Sequence, residues 1–138
     1  MSLSRKLTVA FAIPMALLSV ASSASAAAKS PKDQLQETLS GYTAGEPVNC
    51  IPQYAIQSVR IFDKTALLYE MNGDKYYLNI PDTGANDLDD RDVLVTENWT
   101  SQLCNVDIVK LWDPGSRMVT GFVGLGKFIP YTRTREYK

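Results

Sequence analysis

No histidine occurs among the 138 residues. A Ser-His-Asp triad, a Cys-His pair and every His-ligated zinc or haem site are therefore excluded from this chain, and only carboxylate, lysine, tyrosine or backbone chemistry is left. Cysteine is nearly as scarce. Cys50 and Cys104 are the only two, too few for a centre of four thiolates. Without an imidazole to activate a thiol, and in an oxidising compartment, two cysteines in a small domain are expected to pair. No internal repeat and no second long apolar run follow residue 20, so nothing after it is expected to span a membrane.

The first 28 residues account for the one long apolar run. Arg5 and Lys6 precede an apolar stretch, residues 7–20, interrupted by Thr8, Pro14 and Ser19, and a run of small residues offers A-x-A sites ending at Ala26 or Ala28. Charge, apolar core and small residues in that order predict a cleaved secretory signal. A membrane anchor fits less well, because the run is shorter than the roughly 18 to 20 residues that a spanning helix needs. The expected location is periplasmic or secreted. Removing Arg5 and Lys6 from the 14 basic residues leaves 12 against 15 acidic ones, a net charge of −3. Nucleic acid is then an unsuitable partner, since its binding rests on dense Lys and Arg contacts with phosphate.

About 110 residues remain, enough for one core. The pattern divides the chain into a signal peptide (1–28), an N-terminal helix and linker (29–46), a β-rich domain (47–132) and a short basic tail (133–138). Ser30 as N-cap, Pro31 in the first turn, Leu35 and Leu39 at i, i+4 and Gly41 beyond predict one short helix. Asn72-Gly73 predicts a two-residue hairpin loop. That loop would set Glu70 opposite Lys75, Tyr69 opposite Tyr76 and Leu67 opposite Leu78, with Leu67, Tyr69, Met71, Tyr76 and Leu78 on the core face. The preceding strand, 56–62, alternates, and a three-residue loop at 63–65 sets Ile61 opposite Leu67 and Val59 opposite Tyr69. Further strands are expected over 93–97, 106–112, 117–123 and 127–131, with a turn at Asp113-Pro114-Gly115-Ser116. The fold class is mainly β: an antiparallel meander forming a small barrel or a two-layer sheet.

Four features could carry chemistry. Asp82-Thr83-Gly84-Ala85 has the spelling of an aspartic peptidase turn, in which two loops of a dimer share one proton between their carboxylates. Asp82 is thus a candidate catalytic residue, although Pro81 interrupts the strand that should deliver it and Pro, Asp, Thr and Gly are ordinary turn residues. Asp82, Asp87, Asp89, Asp90 and Asp92 offer oxygen ligands for calcium, but no register matches an EF-hand loop, and a solvated acidic loop is the simpler expectation. Gly121, Gly124 and Gly126 open no helix and predict bulges or a close backbone crossing, not a dinucleotide site. Asn98-Trp99-Thr100 spells a glycosylation sequon.

Cys50-Ile51-Pro52, the 59–79 meander with its Asn72-Gly73 turn, Leu103-Cys104 with Asp107-Ile108, and Gly124-Leu125-Gly126-Lys127-Phe128 followed by Pro130 together resemble a family of small exported bacterial proteins known only as a domain of unknown function. The resemblance runs from about Asn49 to Tyr131. It implies export and a β-rich domain, implies no activity, and sets Asp82-Thr83-Gly84 in a variable loop. Members typically carry two more cysteines, matching the 81–88 loop and the neighbourhood of Val123; their joint absence here leaves Cys50 and Cys104 as the remaining pair. The expected function is an exported binding or structural module without a cofactor, its partner another envelope protein or a small ligand. A carboxylate hydrolase using Asp82 and a calcium-binding protein using the 82–92 loop stand as alternatives.

Overall fold

The computed structural model describes residues 26–135. The expected signal segment therefore lies outside the described residues but for its last three, as do the final three residues of the tail. The predicted helix is α1 (Pro31–Thr38), with the Ser30 hydroxyl accepting the Asp33 backbone N–H at 3.2 Å. Ten strands follow: β1 (Tyr42–Ala44), β2 (Cys50–Pro52), β3 (Ile56–Phe62), β4 (Ala66–Met71), β5 (Lys75–Asn79), β6 (Val93–Thr96), β7 (Gln102–Cys104), β8 (Ile108–Asp113), β9 (Met118–Gly124) and β10 (Phe128–Arg133).

All pairings are antiparallel. The sheets run β1-β10-β5-β4-β3, β6-β8-β9 and β2-β7. The described residues form no closed barrel, so of the two expected architectures the layered one is observed. The main core lies between the sheets. Ile61, Leu67, Tyr69 and Met71 of the larger sheet meet Val109, Leu111 and Val123 of the three-stranded sheet, and Ile51 and Leu103 close one side from the β2–β7 pair. A smaller cluster of Phe62, Ala66, Leu68 and Leu78 lies on the other face of the larger sheet, covered by Leu35 and Leu39. Part of the segment that reads as a linker is β1, an edge strand on β10 with Tyr42 opposite Arg133. Three-residue strands such as β1, β2 and β7 are too short to show a period, and only their partners define them.

The β3–β4 hairpin has the predicted register, Ile61 opposite Leu67 and Val59 opposite Tyr69. The β4–β5 hairpin does not. Its loop has three residues, Asn72 to Asp74, with Gly73 at φ 81° and Asp74 at φ 54°, and the opposed pairs are Tyr69 with Tyr77 and Leu68 with Leu78. The shift moves Tyr76 and Leu78 to the helix-covered face, away from Tyr69. The physical reason is that β4 is apolar on both faces. Alternation pins a register only where one face is polar, and Leu67-Leu68-Tyr69 offers no such contrast.

Cys50 and Cys104 are disulfide-bonded, 54 residues apart in sequence, and sit directly opposite each other in the β2–β7 pair. Asp107 supports the same corner. Its carboxylate accepts the Cys104 N–H at 2.7 Å and the Asn98 side-chain amide at 3.1 Å. Tyr69 is the largest of the fully buried side chains, edge-on to Phe128 at 5.6 Å between ring centroids. Its hydroxyl has no hydrogen-bond partner among the described residues, and burial raises its pKa well above the ordinary 10.0.

Two predictions follow from this core. Cys104→Ser should lower the thermal midpoint, at a cost of up to about 4 kcal/mol for a loop of this length; thiol titration of the unreduced, denatured wild type should find none, and two thiols would refute the bond. Because folding raises the Tyr69 pKa, its contribution to stability is complete below pH 10 and is lost as the pH climbs further, since only the unfolded chain then releases the proton. Tyr69→Phe should be neutral or more stable by about 1 kcal/mol at pH 7, and above pH 10 the wild type should lose stability relative to it by up to about 1.4 kcal/mol per pH unit. Chemical denaturation of both proteins from pH 7 to 11.5 reads the difference; parallel profiles would show that the hydroxyl releases its proton as readily in the folded protein as in the unfolded chain, and so is not desolvated.

Candidate functional site

The three-stranded sheet is apolar on both sides. Register places Leu94, Leu111 and Gly121 in one inward row and Thr96, Val109 and Val123 in the next, and these face the core. The outward rows are Val93, Trp112 and Val119, then Val95, Lys110 and Phe122, with Ile108 beside Gly124. Ile108 is 64% exposed, Phe122 56% and Val93 51%. An antiparallel sheet with one wet face ordinarily alternates apolar and polar residues. Here the only charge in the outward rows is Lys110, whose ammonium is paired with Glu97 at 2.6 Å.

One edge of this sheet is held by the loop that contains Asp82. The Asp82 N–H donates to the Gly124 carbonyl at 3.0 Å, and Thr83 forms an antiparallel bridge with Gly124. Gly124 allows this approach, because a Cβ there would meet the Thr83 hydroxyl. The glycine run is thus the close crossing that its spelling predicts. Gly126 belongs to the same crossing: its N–H and C=O bond the buried Asn79 side chain at 3.0 and 2.6 Å. Asn79 is a residue the pattern did not single out, since nothing local marks a strand-end asparagine as buried.

The aspartates do not converge. Asp82 is exposed and stands apart from the other four. Asp87, Asp89 and Asp92 line a hollow of about 210 Å³ with Arg91, Asp113 and Thr120. Arg91 binds the Asp89 carboxylate through Nε at 2.9 Å and Nη2 at 2.6 Å. These side-chain bonds, with one from the Arg91 backbone, hold the Asp89 carboxyl well below the usual carboxylate range. Asp92 accepts the Thr120 hydroxyl at 2.6 Å. Asp113 is held low by the Ser116 hydroxyl and by the Gly115 and Ser116 N–H groups of the turn it closes. Asp89 and Asp90 gather instead with Asp63, their carboxylate oxygens within 4.8 Å of one another, and Asp63 also accepts the Asp90 N–H at 2.6 Å. Asp63 lies outside the expected acidic loop, and the β3–β4 turn brings it in. The sequon asparagine is engaged as well, Asn98 donating to Gln102 O and to Asp107.

Arg91 already neutralises the carboxylate common to both acidic groups, so calcium has little left to stabilise specifically. Calcium at fixed ionic strength, against magnesium, should leave the melting temperature unchanged; a calcium-selective rise of several degrees below millimolar concentration would overturn this. Comparison of the chain with protein-family models, with curated proteins and with solved structures finds no match in any of the three.

Proposed function

We propose that the protein is an exported binding module, working in the periplasm or outside the cell, whose contact surface is the outer face of β6, β8 and β9. The observation that carries this reading is the apolar face itself. Val93, Val95, Ile108, Trp112, Val119 and Phe122 share it, and together they present apolar surface on the order of 400 to 500 Å², the size of the largest patch on a typical monomer, which is often a functional one. The five-stranded sheet covers its own second face with α1. The three-stranded sheet has no such cover among the described residues. Export is supported by the charge, apolar core and A-x-A order of residues 1–28, and the Cys50–Cys104 bond suits an oxidising compartment.

Catalysis draws no comparable support. Asp82 stands alone, and the acidic hollow pairs Asp89 with its own cation.

A photo-crosslinking amino acid placed at Phe122 of the full chain, expressed in a secreting bacterium, should give adducts of higher mass. The same residue placed at Gln36, on the exposed side of α1, should give few. Equal yields at the two positions would sink the proposal.

A further inference from the structure

We infer that the occupant of this face is a second copy of the chain, packed sheet against sheet about a two-fold axis. The inference rests on the binding reading above and adds the identity of the partner. Three observations carry it: area, charge and the absence of a recess.

With Lys110 and Glu97 added at its rim, the face exceeds its roughly 400 to 500 Å² of apolar surface but stays below the about 800 Å² per partner of a standard interface, which fits a weak dimer. A sheet that is apolar on this scale packs best on another flat apolar sheet, with about 10 Å between layers. The face is also flat where a small ligand would need a hollow. Gly124, the one position in the outward rows without a side chain, is filled over by Thr83, and the hollows that touch this sheet open at its margins, where Val93 shares one with Val59 and Asp92, Glu97 shares another with Trp99, and Asp113 lines a third with Asp87.

Charge decides between a copy and a charged partner. The outward rows carry one cation, Lys110, and its counter-ion Glu97 comes from the same chain at 2.6 Å, with the Glu97 side chain 70% exposed. The face is therefore neutral overall and offers no field to an acidic or basic partner. In an isologous interface each contact occurs twice, so Lys110 of one copy can reach Glu97 of its mate while Glu97 reaches Lys110 in return. Buried lysine would otherwise be costly; the crosswise exchange leaves both cations paired.

Sedimentation equilibrium of the processed, exported protein tests this, from about 1 to 100 µM, a range that resolves a dimer of micromolar Kd. The wild type should move from monomer to dimer. Phe122→Asp should stay monomeric with an unchanged far-ultraviolet spectrum, and Ile108→Glu serves if that variant does not fold. Tyr54→Ser, an exposed aromatic in the turn after β2, should dimerise as the wild type does. Lys110→Glu alone and Glu97→Lys alone each put two like charges on the face and should be monomeric. Mixed in equal amounts they should form a heterodimer, which only a second copy can explain. A wild type that is monomeric at 100 µM, a dimer that survives Phe122→Asp, or a mixture that stays monomeric overturns the inference. If the wild type is monomeric while position 122 still crosslinks to another protein, the second copy is wrong and the binding face stands; if neither assembly nor adduct is seen, both fall.

Discussion

The two layers are joined at the crossing of Asn79 and Gly126. The chain leaves the three-stranded sheet at Gly124 and enters the five-stranded sheet at Phe128, and in between Leu125 and Gly126 are buried before Lys127 reaches the surface. A buried peptide group without a partner costs about 1 to 3 kcal/mol. Asn79 removes that cost, donating to the Gly126 carbonyl and accepting its N–H, as a neighbouring strand would. The residue at 126 must be glycine for the same reason, because a Cβ there would strike the Ile80 carbonyl. Leu125 next door is buried and its N–H bonds the Asp107 carbonyl. Asp107 in turn holds the corner where the disulfide closes, so the crossing and the Cys50–Cys104 bond brace one region from two sides.

That arrangement leaves the centre of the five-stranded sheet buried on both faces and the three-stranded sheet on only one. β4 lies between β3 and β5, its odd-numbered residues in the main core and its even-numbered ones facing α1, apart from the exposed Glu70. The three-stranded sheet spends its inner face on the same core. Its outer face keeps valine, isoleucine, tryptophan and phenylalanine, a composition suited to an interior. Apolar residues on a wet strand face carry a risk of association, and their retention here is the physical basis for reading the face as a contact surface.

The acidic segment illustrates how folding redistributes charge that looks concentrated in the sequence. Five aspartates within eleven positions read as one group, yet the short helical turn at Ala85–Asp87 and the strand start at Val93 send them in different directions. Arg91 falls between Asp89 and Asp92 and takes Asp89. Asp63 and Asp113, distant in sequence, become neighbours of the remainder.

What the sequence by itself determined is what short-range sterics and pattern decide. The α1 start follows from Ser30 and Pro31, the β3–β4 register from the three-residue loop and one-sided alternation, and the disulfide from there being two cysteines to pair. The tertiary structure decided the β4–β5 register, because a strand apolar on both faces gives alternation nothing to distinguish. It alone identified β1, β2 and β7, which are too short for a period, and the burial of Asn79, which depends on a backbone 47 residues away. It also decided the candidate site. In sequence Val93, Val95, Ile108 and Phe122 are apolar residues of expected strands with no face assigned, and only the packing of β6, β8 and β9 over the larger sheet shows which side of each strand is left facing water.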